Sequence, residues 1–127
     1  MLNYIFIAIG SALGGVARYG LSRAVALRYG DTFPWGTLVV NVVGSWVIGL
    51  FAALTAAMGP LGNEPAARQL VIVGLCGGYT TFSSFSLQTL NLSRGGEWLS
   101  AAANTLASVV LCYLAAWLGF VLGGRFG

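Results

Sequence analysis

Apolar residues dominate four long stretches of the chain, at 4–26, 35–58, 69–93 and 98–122. Crossing about 30 Å of hydrocarbon takes about 20 helical residues, so the pattern predicts four transmembrane helices. The polar punctuation between them agrees. "YGDTFPWG" carries Gly30, Asp31 and Pro34, "MGPLGNEPAAR" carries two prolines and Glu64, and "SRGGEW" carries paired glycines. Each is turn chemistry rather than helix interior. All three acidic residues, Asp31, Glu64 and Glu97, fall in these connectors. Tyr29, Trp35 and Trp98 fall near span ends, where aromatic rings favour the membrane interface. The first residues, Met1 to Phe6, lack the positive region of a signal peptide, and no small-residue cleavage site follows. The first span is therefore expected to be retained.

Composition makes the bilayer the solvent. The 127 residues are 57% hydrophobic and 7% charged, where a soluble domain carries roughly 25% charged residues. Such a chain cannot cover a folded surface with polar groups, and its length fits one domain. The net charge of +3 comes from six scattered arginines. They form no basic patch, which argues against nucleic acid as a partner. The chain has no histidine and no cysteine or carboxylate cluster with metal-ligand spacing, so a catalytic zinc site and a Ser–His triad are excluded. Cys76 and Cys112 both lie within apolar runs and read as free packing thiols.

Arginine placement bears on orientation. Four spans put Arg68 and Arg125 on one side of the membrane, and Arg28, Arg94 and Arg23 on the other. That balance shows almost no bias. It suggests that the chain inserts in both orientations and that opposite copies pair as an antiparallel, dual-topology homodimer. Four helices of this size fill their own core, so a conducting path requires an oligomer. Small residues four apart, at Gly10/Gly14 and Gly119/Gly123, permit close helix contact. With 19 glycines in 127 residues, such pairs are read as packing rather than as a dimer seam.

Polar atoms inside a membrane are costly and tend to mark function. Asn41 stands in the second span without a charge nearby. Its amide is either an interhelical hydrogen bond, contributing about 1 kcal/mol, or a donor aimed at a passing ion. Arg18 lies deep in the first span. It reads as a structural or vestibule group, because a bare guanidinium in a narrow anion path would hold its ion too tightly. Asn104, Thr105 and Ser108 add polar groups to the fourth span, and Asn104 and Ser108 share one face.

The third span is the most informative. Gly77-Gly78 lowers helix propensity by about 1 kcal/mol per residue, and the Thr80 and Thr81 hydroxyls can bond backbone carbonyls. Together they predict a helix broken near mid-membrane, at Gly77 to Thr80. The carbonyls exposed there need a partner, from the protein or from a cation. Beyond the break, Phe82 and Phe85 share a face and are interleaved with Ser83, Ser84 and Ser86. A phenyl ring has a positive edge. Ring edges beside hydroxyl donors suit a small hard anion that must shed water. None of the spans carries Asp, Glu, Lys or His, whereas a proton-coupled carrier needs a titrating group in the membrane. The pathway is therefore expected to be passive.

"GTLVVNVVG" at 36–44 and "GGYTTFSSFS" at 77–86, with "GGVARYG" in the first span and "AWLGF" in the fourth, resemble the small fluoride channels of the Fluc or CrcB family. The likeness covers essentially the whole chain. It implies an all-α membrane protein: four transmembrane helices per subunit, the third broken, in an antiparallel dual-topology homodimer with two pores. It implies fluoride as the permeant ion, leaving the cell passively, and so a plasma-membrane location (the inner membrane of a bacterium). By the same likeness the pore asparagine is Asn41, the paired phenylalanines are Phe82 and Phe85, and the hydroxyl track is Ser83, Ser84 and Ser108. A structural Na⁺, not transported, would be held by the carbonyls of Gly77 and Thr80. Arg18, Thr81, Gln88 and Asn104 remain as vestibule or supporting groups. The chain departs from the family pattern at Ser84, often threonine, and at Gln88, often glutamate. The amide at Gln88 carries no charge for a vestibule. Two other readings stay open: a small multidrug transporter, which would want a glutamate absent from the first span, and a membrane scaffold without transport.

Overall fold

The computed structural model describes residues 2–55 and 65–125. Four helices long and apolar enough to cross a membrane make up the fold: α1 (Leu2–Tyr29), α2 (Trp35–Leu54), α3 (Pro65–Arg94) and α4 (Trp98–Gly124). The chain is a multi-pass, all-α membrane protein. Residues 56–58 of the expected second span, and the connector as far as Glu64, lie outside the described residues.

Two helix pairs organise the packing. α2 runs along α4, and α1 runs along the first half of α3. Both seams use the smallest side chains. A Cβ at Gly49 would strike the Ala116 backbone, and one at Gly119 would strike the Trp46 carbonyl. Gly10 and Gly14 likewise lie against the backbone of α3 at Leu70, Leu75 and Tyr79. Both spaced-glycine motifs are thus used within the chain, where close backbone approach increases van der Waals contact between helices. The buried apolar side chains are correspondingly modest: Leu38, Val40, Ala53, Cys76, Ala101 and Ala115. Large ones such as Val16, Leu106, Trp117 and Leu118 face outward, as they do when lipid tails rather than water surround the protein.

The helix boundaries follow local chemistry. α1 and α3 each run into a positive-φ glycine, Gly30 at 83° after α1 and Gly96 at 80° after α3. There the missing Cβ removes the left-handed penalty. α3 opens on Pro65, whose absent N–H is one a helix start leaves unbonded anyway.

α3 is not uniform. Residues Arg68–Cys76 wind with the wider π-helical spacing. Gly77–Tyr79 return to α-helix. Thr80 (φ −78°, ψ 155°) and Thr81 (φ −148°, ψ 111°) are extended, and helix resumes over Phe82–Arg94. The irregularity therefore falls on the threonines, whereas the glycine pair that drew attention in the sequence is helical. The glycines answer to packing instead: a Cβ at Gly78 would meet the Ser11 backbone.

Candidate functional site

The extended pair is held from both sides. On the N-terminal side, the Thr80 hydroxyl and the Thr80 N–H both donate to the Cys76 carbonyl, at 2.8 and 2.9 Å. On the C-terminal side, Thr81 caps the next helical segment, its Oγ1 accepting the Ser84 N–H at 3.1 Å. A threonine oxygen at this position satisfies one of the donors a helix start leaves free.

Asn41 supplies what the extended backbone lacks. Its Oδ1 accepts the Thr81 N–H at 2.8 Å, and its Nδ2 donates to the Thr81 carbonyl at 3.0 Å. The side chain pairs with Thr81 as a neighbouring strand would. Because a backbone N–H can only donate, the amide orientation is fixed, a point that geometry often leaves ambiguous for asparagine. One Nδ2 proton remains for another acceptor. Gly44 lies one turn along the same α2 face, and a Cβ there would collide with the Thr80 methyl and the Tyr79 ring. Asn41 and Gly44 thus act as a pair: one bonds the extended segment, the other makes room for it. Arg18 reaches the same region from α1, its Nε donating to the Gly78 carbonyl at 3.4 Å.

Beside this segment lies a groove of about 320 Å³ between α2, α3 and α4. Asn41, Ser45 and Ile48 line it from α2, Thr80, Thr81, Phe82 and Phe85 from α3, and Ser108, Val109 and Cys112 from α4. The groove has polar donors and, among the described residues, no charged side chain. The Phe82 and Phe85 rings sit 5.3 Å apart, tilted by 45°, a geometry in which the edge of one ring can approach the face of the other. Four residues singled out in the sequence as pore-lining, Asn41, Phe82, Phe85 and Ser108, meet here.

Ser83 and Ser84 are not in the lining. With Phe82 and Phe85 turned to the groove, helical rotation carries the intervening residues away from it. Ser83 is exposed, with its Oγ 3.3 Å from Thr81 Oγ1, and Ser84 contributes its backbone N–H to the cap. Ser45 and Cys112 were not anticipated. Their signal was present: each stands four residues after a groove residue, Asn41 and Ser108, on the same helix face.

Behind Ser108 lies a buried polar chain. Asn104 is 2% exposed. Its Nδ2 donates to Thr89 Oγ1 at 2.9 Å, and its Oδ1 accepts from Ser108 Oγ at 3.4 Å. Asn104 therefore backs the groove wall and is not part of the surface. Gln88 lies elsewhere, in a separate cavity of about 410 Å³ with Ser22, Thr37 and Asn91, near the α1–α2 connector. Its Oε1 is buried and accepts no hydrogen bond among the described residues.

Fold and site define a small helical membrane protein with an uncharged, donor-lined groove beside an extended segment of its third helix. A family model described as "CrcB-like protein, Camphor Resistance (CrcB)" matches residues 5–120, and the chain belongs to this family. It is 58% identical over 121 residues to a protein of Opitutus terrae named "Fluoride-specific ion channel FluC", covering 95% of this chain and 92% of that one. It is 54% identical to a protein of the same name from Paramagnetospirillum magneticum, covering 95% and 94%. A relative in Coxiella burnetii, also so named, is 46% identical over 123 residues. The family is one of ion channels, not of enzymes.

Proposed function

We propose that this protein is a fluoride-selective channel that lets the ion leave the cell passively across the plasma membrane. The observation that carries the reading is the groove itself: Asn41, Phe82, Phe85 and Ser108 line one groove without a charged side chain among the described residues, in a chain whose relatives are named for fluoride. The second Asn41 N–H and the positive ring edges offer an incoming anion partial replacement for its water, and the Ser108 hydroxyl stands beside them. The absence of a fixed cation along the lining lets the ion depart.

Working channels are antiparallel homodimers with two pores, on this reading. The near balance of arginines across the membrane supports both insertions. The exposed face of α3 supports a covering partner: Gly77, Phe82, Ser83 and Ser86 are all exposed within the spanning segment, and hydroxyls there are unfavourable against lipid. The extended segment serves as the mid-membrane break of α3. It also fits a structural Na⁺. The Gly77 and Thr80 carbonyls accept no hydrogen bond among the described residues, and carbonyl oxygens are ligands for a hard monovalent cation. When bound, such an ion supplies charge to carbonyl dipoles that would otherwise face an apolar medium. Arg18, through Gly78, and Asn41, through Thr81, hold the neighbouring carbonyls.

Expression in a bacterium stripped of its own fluoride exporters tests the reading. Growth in millimolar-range fluoride should return with this chain and fail with Asn41→Leu. Growth no better than with an empty vector, from membrane-inserted protein, would contradict it.

A further inference from the structure

Ser108 presents a problem of hydrogen-bond direction. In the structure its Oγ donates to Asn104 Oδ1. A serine hydroxyl has a single proton, so in this arrangement Ser108 shows the groove only lone pairs, which repel an anion. A second arrangement is available with every heavy atom in place, because the oxygen and nitrogen of an amide are nearly isosteric. With the Asn104 amide turned over, Nδ2 donates to Ser108 Oγ, the Ser108 proton is released toward the groove, and Oδ1 faces Thr89. The Thr89 hydroxyl donates to nothing among the described residues, so it is free to donate to that oxygen. The turned arrangement uses both hydroxyl protons of the chain, one toward the amide oxygen and one toward the groove. Unlike Asn41, whose orientation a backbone N–H dictates, Asn104 has hydroxyls at both ends, and a hydroxyl accepts or donates equally.

We propose that Asn104 is a positioning residue that sets the direction of the Ser108 hydroxyl, and that an anion in the groove selects the amide orientation that turns the Ser108 proton toward it. The inference rests on the channel reading and deepens it. Asn104 itself stays behind the wall, 2% exposed, and acts on the anion only through Ser108. Burial makes the coupling strong: no water competes for either end of the amide.

The test is a double-mutant cycle read as fluoride efflux from proteoliposomes. Ser108→Ala and Asn104→Leu should each slow efflux about tenfold, the cost of one hydrogen bond to a charged group. In Asn104→Leu the Ser108 proton falls back on its own helix carbonyl. The double variant should be no slower than Ser108→Ala alone. Thr89→Val, which keeps the side-chain shape, should slow efflux about threefold, and that loss too should vanish in the Ser108→Ala background. Wild-type rates in Asn104→Leu, or losses that multiply in the double variant, overturn the positioning role. Should Asn104→Leu fail to yield folded protein, the Thr89→Val cycle decides by the same criterion. Wild-type liposomes that pass no fluoride would refute the channel reading as well, which separates the two failures.

Discussion

Two regions of one chain solve the same problem, holding helices together where no water drives them, by opposite means. At its glycines the α2–α4 seam sets backbone against backbone: Gly49 on Ala116, Gly119 on Trp46, Gly123 on Leu50. The α2–α3 contact around Thr80 and Thr81 is polar, with Asn41 bonding both backbone groups of Thr81. The seam draws its strength from close approach, and its function is to be continuous. The polar contact supports a non-helical backbone in the membrane, tolerable only where its N–H and C=O groups find partners. The candidate groove lies beside the second kind of contact.

Substitutions should divide the two regions cleanly. The largest effect is expected at Asn41. Asn41→Leu leaves the Thr81 N–H and C=O without partners, each costing about 1–3 kcal/mol. Fluoride efflux should disappear and stability should fall, by urea or detergent unfolding. Full efflux in that variant would mean that the extended segment holds itself. Gly119→Ala comes next and should affect stability alone. Its added methyl meets the Trp46 carbonyl and should lower stability by about 1–3 kcal/mol, while efflux per folded channel stays unchanged. A changed F⁻/Cl⁻ preference in Gly119→Ala would show that the seam shapes the path.

Phe82→Ile and Phe85→Ile should slow efflux about tenfold, the scale of one lost favourable contact near 1.4 kcal/mol, without unfolding the protein. Normal efflux in both would leave the rings a packing role alone. Cys112 lines the groove and Cys76 is 2% exposed. A small methanethiosulfonate reagent should therefore slow efflux in wild type and lose its effect in Cys112→Ala, with Cys76→Ala behaving as wild type. Inhibition that follows Cys76 instead would place the water-filled path elsewhere. Smallest of all, Ser83→Ala removes a hydroxyl that lies outside the groove, and efflux should stay within about twofold, less than the loss of one net hydrogen bond.

The spans were legible because hydropathy and turn residues are local properties: Pro34, Gly30, Gly95 and Gly96 mark ends without reference to anything distant. The irregular segment of α3 was legible only approximately. Gly77-Gly78 drew attention because glycine weakens a helix, yet those residues remain helical and the next two threonines are extended, since Cys76 and Asn41 supply the bonds that make this possible. No local pattern could show that Asn41 would find Thr81 across 40 positions. Ser83 and Ser84 illustrate a second limit. Helical phase is lost across two extended residues, so which side of the following helix faces inward could not be carried forward from the preceding one. Ser45 and Cys112 were within reach, being four residues from groove residues on unbroken helices. Serine and cysteine among apolar neighbours read as ordinary packing.

The most direct measurement is paired fluoride and chloride efflux from liposomes holding the purified wild-type protein, followed with ion-selective electrodes. Rapid release of fluoride with chloride retained is the predicted result. Equal release of both ions, or retention of both by correctly inserted protein, would contradict it.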